Sequence, residues 1–367
     1  MRRFVMLLVG LLALAASVAV AACGGAAKPR WEITDLGTLG GQSSSAVAIN
    51  GHGQAVGSAD TKAKDKDGYP IAHAVLWQDR KLTDLGTLGG PSSEAVAIND
   101  LGQVTGFADT EPSSLKKGDP IAHAFLWADG KMRDLGTLGG PSSSARDIND
   151  RGQIVGSADT KAKVEDDLPI APGSSHAISH AVVWERGKVR DLGVLPGRTE
   201  SDAYAINERG QVIGTACSFC TAKDPDAIAR GFLWQAGRMT ALALLPGRSN
   251  CVANAISDRG QVVGRSDYGG AELHPVRWQA GKAIGLRLPG AWDGEAEALN
   301  NHGQIVGYGE SDSGSRAFLW YRGTTLPLAG LGGGEGGANA INNQGQITGW
   351  SAAKNGYLHA VLWTLKL

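Results

Sequence analysis

Histidines recur at one phase of this sequence. His73, His123, His180 and His359 each open a short apolar run that ends in tryptophan, and His274 holds the matching place in a fifth run. A circle of imidazoles could bind a metal. Cysteines offer a second chemistry: Cys217 and Cys220 form "CSFC", a spacing used in thiol exchange, and Cys251 follows. Carboxylates offer a third. Asp65-Lys66-Asp67 and Glu165-Asp166-Asp167 have the oxygen ligands that Ca²⁺ prefers, although interspersed lysines weaken the site. Asp60, Asp109, Asp159, Tyr69 and His176 lie in the same variable segments and are the candidates for touching a ligand.

Which of these groups is free to act depends on the repeats around them. One element reads "AIN..GQ.VG" and begins at Ala48, Ala97, Asp147, Ala205, Ala255, Ala298 and Ala340; its fifth copy has Ser257 in place of asparagine. A second ends at Trp77, Trp127, Trp184, Trp234, Trp278, Trp320 and Trp363. Both count to seven. In the third copy, Ser142–Asn149, Gln153–Asp159, His180–Trp184 and Lys188–Leu195 read as four short strands a to d, joined by hairpins at Asp150-Arg151-Gly152 and Glu185-Arg186-Gly187, each drawn with a bulge. Glycine makes up 53 of 367 residues, about twice the usual share of roughly 7%, and it is spread among Val, Ile and Trp as turns between strands require.

Four strands per repeat predict an all-β fold, a seven-bladed β-propeller with blades near 42–90, 91–140, 141–197, 198–247, 248–290, 291–333 and 334–367. The last repeat lacks a strand d, and "WEITDLGTLGG" (31–41) is a strand d with nothing before it. Pairing the two closes the domain over 31–367 and removes an orphan edge. The motifs "DLGTLGG" (84–90 and 134–140), "IND.GQ" and "HAFLW" resemble the HAF-repeat family of bacterial extracellular proteins. The resemblance covers nearly all of 31–367, fades in repeats four to six, and implies an exported repeat protein without bringing an activity.

A residue locked to the repeat is expected to be architectural. The histidines should bond to a neighbouring strand or to Asp84, Asp134 or Asp191, which resembles the pairing within WD-repeat blades. The seven tryptophans should pack between blades, and Asn50 and its counterparts should cap hairpins. Function then falls to the b–c connections 60–72, 109–122, 159–179 and 216–230, whose shared face is the expected ligand face. The cysteines are expected to form a disulfide, either Cys217–Cys220 or one of that pair with Cys251, because "CSFC" lacks the βαβ setting of a redox motif. Enzyme motifs such as G-x-S-x-G and H-E-x-x-H are absent. No cofactor or metal is expected.

Residues 1–22 read as a signal peptide: Arg2 and Arg3, an apolar run, then small residues. Val20-Ala21-Ala22-Cys23 resembles the lipobox of bacterial lipoproteins, which implies cleavage before Cys23, acylation of that cysteine, and 23–30 as a lipidated linker. Losing two arginines takes the formal charge from −1 to about −3, and no polybasic surface suggests nucleic acid. The expectation is a monomeric binding or scaffolding module anchored by lipid in the cell envelope, at the outer membrane where there is one, and otherwise secreted. Its partner would be an envelope protein or a glycan. The alternatives are a glycan- or peptide-processing enzyme, which needs carboxylates or imidazoles converging near the central mouth, and a purely structural envelope protein.

Overall fold

The structure, a computed structural model, describes residues 30–110, 121–166, 174–217, 229–268, 271–291, 293–312 and 314–366. Among them every regular element is a β-strand, 28 in all. β1 (Arg30–Asp35) comes first. Four-stranded meanders follow: β2 (Ser44–Ile49), β3 (Ala55–Lys64), β4 (Pro70–Gln78) and β5 (Lys81–Asp84); then β6 (Ser93–Ile98), β7 (Val104–Asp109), β8 (Ala122–Ala128) and β9 (Lys131–Asp134); then β10 (Gly139–Ile148), β11 (Ile154–Asp166), β12 (Ser174–Glu185) and β13 (Lys188–Gly193). The next is β14 (Glu200–Ile206), β15 (Val212–Cys217), β16 (Arg230–Gln235) and β17 (Arg238–Ala241). After it come β18 (Asn250–Ile256), β19 (Val262–Tyr268), β20 (Ala271–Gln279) and β21 (Lys282–Gly285), then β22 (Asp293–Leu299), β23 (Ile305–Ser311), β24 (Gly314–Tyr321) and β25 (Thr324–Pro327). The chain ends with β26 (Gly332–Ile341), β27 (Ile347–Ala353) and β28 (Leu358–Lys366).

β1 pairs antiparallel with β28, from Arg30 opposite Lys366 to Asp35 opposite Val361, so that the last three strands and the first make one sheet. Two meanders merge into an eight-stranded sheet, because β16 meets β18 in parallel at Arg230 and Cys251. The first strand of each meander lies beside the first strands before and after it, and β26 lies beside β2.

The turns follow from the residues. Gly152 takes a left-handed φ of 71° and its N–H donates to Asn149 O, closing the a–b hairpin. The c–d turn is tighter than the bulged form read from the sequence: Arg186 (φ 52°) and Gly187 (φ 72°) are both left-handed, as a two-residue hairpin twisted like its strands demands. The b–c connections also differ from plain loops. β11 and β12 run on as a hairpin arm to Asp166 opposite Ser174, and β3 and β4 do so to Lys64 opposite Pro70.

Every first strand carries a β-bulge at the same place. The pairing steps from Ala46–Gly57 to Ala48–Val56 and leaves Val47 over; the counterparts of Val47 are Val96, Arg146, Tyr204, Asn254, Glu297 and Asn339. The bulge brings the strands so close that a Cβ on Gly57 would collide with the Ser45 carbonyl, and likewise for Gly106 against Glu94. That crowding is why the glycine of "VG" repeats.

The core is divided among the contacts between neighbouring meanders, each with one of the repeated tryptophans. Trp184 packs with Ala124, Ile148 and Val182, and Trp234 with Val183, Leu195 and Phe232. Trp77 packs with Ala46 and with Ala360 from the other end of the chain. At about 25 cal/mol per Å² buried, side chains of this size dominate the cohesion between units.

Candidate binding site on the first strands

Most of the residues singled out by type are spent on architecture. His73 Nδ1 meets Asp84 Oδ2 at 2.9 Å, His123 meets Asp134 at 2.8 Å, His180 meets Asp191 at 2.8 Å, and His359 meets Asp35 at 2.7 Å. The same aspartates accept backbone N–H groups from Gly86, Gly136, Gly193 and Gly37 through Oδ1, so each His–Asp pair pins the end of one strand to the next. His274, with no aspartate opposite, bonds through Nδ1 to Glu272 O and lies 3.1 Å from Arg248 Nη2. Trp77, Trp184, Trp234, Trp278, Trp320 and Trp363 are buried, and Trp127 packs against the same kind of cluster.

The loop-face candidates divide. Asp60, Asp109 and Asp159 each accept a backbone N–H through Oδ2, from Ser43, Ser92 and Ser142 respectively, and so fasten the entry of a first strand to the second strand of its own unit. Burial raises the Asp109 pKa while the Ser92 N–H works the other way. Tyr69 is exposed on the tip of the β3–β4 arm, where Asp65 Oδ1 accepts the N–H groups of Asp67 and Tyr69. The side chains of His176, Glu165 and Asp166, and all of Asp167, Cys23 and Cys220, lie outside the described residues.

The cysteines require a correction. Cys217 is disulfide-bonded, but Cys251 is a free, buried thiol. It stands inside β18, not in the connection before it, at the place held by Ser44, Ser93, Ser143 and Ser201 in other units. Those hydroxyls accept a backbone N–H from the preceding unit, as Ser93 does from Ala74, and Cys251 Sγ does the same from Gly231 at 3.3 Å. Burial pushes its thiol pKa upward. A chemically inert stand-in for serine is the result.

The repeated asparagines do more than cap hairpins. Asn50 Oδ1 accepts the N–H groups of His52 and Gln54, while its Nδ2 donates to Gln54 Oε1 and to Asn99 O of the next unit. The inter-unit link repeats from Asn99 to Asn149, Asn149 to Asn207, Asn207 to Ser257, Asn300 to Asn342, and Asn342 back to Asn50. Ser257 has no amide to pass it on. Beside it runs a second line, in which the backbone N–H of Asp100 donates to Asp150 Oδ1, that of Asp150 to Glu208 Oε1, and that of Glu208 to Asp258 Oδ1.

What remains is the bulged position, the place in "A-x-A-I-N" where the repeat varies most. A bulge re-aims its side chain, and the seven are half-buried. From Arg146 onward they are polar and joined. Arg146 Nη2 approaches Asp202 Oδ2 at 3.4 Å. Asn254 Nδ2 donates to Glu295 Oε1 (2.7 Å) and Ala296 O (3.2 Å) and lies 3.4 Å from Glu297 Oε2. Glu295, buried, also receives Arg265 Nη1 at 2.8 Å and the Tyr308 hydroxyl at 3.2 Å. Asn339 Nδ2 donates to Ala46 O.

Electrostatics tie these groups into one band. Burial, then the charge of Glu295, push the Glu297 pKa up to about 8. Burial raises Asp202 while Arg146 opposes it, and burial with the Asp202 charge raises the Tyr204 phenol to about 12. Asp147, which replaces the alanine of the other repeats, rises to about 7 by burial, even though the N–H groups of Ile206 and Ile148 bond to it and favour its charge. Asp202 keeps 24% of its side-chain surface open although protein surrounds it, as a group lining a narrow space would. Arg146 Nε and Arg265 Nε are buried without a protein partner, while Asp202 is met by Arg146 and by the Ser157 hydroxyl. The band therefore offers unspent guanidinium donors beside carboxyls whose pKa burial raises. The sequence signal for it was there: x reads Val, Val, Arg, Tyr, Asn, Glu, Asn.

A family described as a protein of unknown function, DUF3466, matches residues 42–171. No curated protein matches the chain. Among solved structures, it is similar to the β-propeller domain of the Trilobed protease from Pyrococcus furiosus, described as having an open velcro topology. The TM-score is 0.59 at 10% identity, over 88% of this chain and 95% of that one. The Pyrococcus horikoshii acylaminoacyl peptidase gives 0.54 at 12%, over 90% of this chain and 53% of that one. A Mycobacterium tuberculosis puromycin-hydrolyzing peptidase gives 0.53 at 14%, over 88% and 50%. The chain thus spans about half the length of these two peptidases. At such identities the likeness concerns fold alone: the chain is an all-β protein built like a propeller.

Proposed function

We propose that this chain is a seven-bladed β-propeller, closed by β1 on β28, that binds a polar ligand on the bulged residues of its first strands. Closure is supported by the β1–β28 ladder, by Asn342 Nδ2 on Asn50 O, and by Trp77 packing with Ala360. The binding reading rests on one observation. The repeated His, Asp and Asn side chains are bonded within the fold and the repeated Trp rings pack in it, whereas the non-repeated Arg146, Tyr204, Asn254 and Glu297 form a polar band in which Arg146 Nε and the neighbouring Arg265 Nε are buried and unpaired. Amide, phenol, guanidinium and carboxyl groups side by side suit the hydroxyls of a glycan or the amides of a peptide better than an apolar ligand. With the HAF-repeat motifs and the lipobox, this gives a lipoprotein of the cell envelope, tethered through Cys23, with no nucleic-acid partner. Because β1 runs from the a–b turn side toward Asp35 and His359, the tether would leave the β3–β4 and β11–β12 arms pointing away from the membrane.

An enzyme is the second reading, favoured by one detail: Glu297, protonated to about pH 8, sits with Glu295 on a shared amide, a separation of roles that acid–base catalysis uses. Against it, Glu295 is held by three donors.

Retention of envelope glycans and peptides by the immobilised protein tests the proposal. Arg146, Tyr204, Asn254 and Glu297 are replaced together by valine, the residue of units one and two, and a separate variant lacks 160–178. Loss of retention in the valine variant alone is the expected result. Normal retention there, with loss in the arm deletion, would move the site to the loop face.

A further inference from the structure

The contact between the fifth and sixth units departs from the repeat at two places at once. The residue before the strand-c tryptophan is Leu76, Leu126, Val183, Leu233, Leu319 or Leu362 elsewhere, and here it is Arg277. The asparagine that would reach Asn300 is Ser257, so Gln261 Oε1 also lacks the amide donor that Gln54 and Gln103 receive. Between these two changes lies a cavity of about 160 Å³, lined among others by Arg259, Gln261, Arg277, His302, Trp320 and Arg322. Among the described residues no carboxylate lines it.

Its cations are held ready rather than neutralised. The Arg277 guanidinium lies over the Trp320 ring, 5.4 Å from its centroid, which fixes the plane of the fork. Its Nε is buried without a partner. Arg322 sits over the Tyr321 ring at 5.0 Å. Arg259 and His302 are exposed at the rim. Arginine in a leucine position of an apolar contact is costly unless something returns the hydrogen bonds lost to burial. A planar fork over an aromatic face is the arrangement that binds oxyanions.

We propose that this cavity binds a small oxyanion, a phosphate or carboxylate group, with Arg277 as the anchoring donor and Arg259 and Arg322 as flanking charges. A space of about 160 Å³ is smaller than the roughly 300–1,000 Å³ of sites for drug-sized ligands and suits a single anionic group with residual solvent. The site is separate from the first-strand band and stands whether or not that band binds a ligand.

The test follows the indole N–H resonance of Trp320, assigned with W320F, while inorganic phosphate and then acetate are titrated into the full mature chain at constant ionic strength. A saturable shift is expected, at least tenfold weaker in R277L and intermediate in R277K, which keeps the charge but loses the fork. Leucine is the residue of other units, so R277L should fold, and its thermal midpoint checks this. No saturable shift with either anion, or the same affinity in R277L as in the native chain, would overturn the proposal.

Discussion

The asparagine line makes a quantitative prediction with an internal control. Asn99 is buried and its side chain makes four hydrogen bonds: Oδ1 accepts from Leu101 N (3.1 Å) and Gln103 N (2.9 Å), and Nδ2 donates to Gln103 Oε1 (2.8 Å) and Asn149 O (3.1 Å). The chain already contains the reduced version, since Ser257 Oγ still accepts Gln261 N at 3.2 Å but sends nothing onward. Asn99→Ser should therefore keep one cap and lose the Leu101 cap and both amide bonds, three in all at about 0.5–1.5 kcal/mol each, for about 1.5–4.5 kcal/mol. Asn99→Ala also orphans the two hairpin N–H groups and should cost about 3–5 kcal/mol. The reverse change, Ser257→Asn, restores a donor facing Asn300 O and Gln261 Oε1 and should stabilise by about 1–2 kcal/mol. Urea unfolding, followed by tryptophan fluorescence and by circular dichroism to check that the transitions coincide, gives all three values. If Asn99→Ser and Asn99→Ala fall within 0.5 kcal/mol of the native chain, the line is ornamental and the reasoning fails.

Other predictions are shorter. Asp147 holds its proton to about pH 7 when folded against 3.8 as the ordinary value, so the folded state binds the extra proton between them and stability falls as pH rises through that window. Asp147→Asn should flatten this dependence between pH 5 and 8 by about 1–2 kcal/mol, less than the full shift implies because water reaches the side chain; an unchanged slope in urea titrations at the two pH values would refute it. Gly106→Ala drives a Cβ into the Glu94 carbonyl and should cost about 3 kcal/mol or more, read as a lowered thermal midpoint or loss of soluble protein. His180→Gln should cost under about 1 kcal/mol, because its partner Asp191 is 42% exposed and half-solvated pairs contribute little; a loss above 2 kcal/mol in the same urea assay would assign the pair a larger role.

The sequence by itself determined the strands, their fourfold grouping and the fate of the repeated residues. A repeat has to satisfy the same contacts in every copy, so His73, Asp84, Trp77 and Asn50 could be assigned to structure before any coordinates were available. Spacing along the chain could not tell that Val47 and its counterparts are bulged, since a bulge is a property of two paired strands and of the carbonyl that forces Gly57 to lack a side chain. The same offset from the motif's last residue aligns Cys251 with Ser44 and Ser93, but that its sulfur accepts an N–H there depends on Gly231 in the neighbouring unit. The joining of Arg146, Tyr204, Asn254 and Glu297 into one band, and of Gln261 with Arg277 around one cavity, was likewise decided by tertiary structure. Residues far apart in sequence become neighbours only when each unit is set against the next, and it is there that burial and missing partners give a side chain its chemistry.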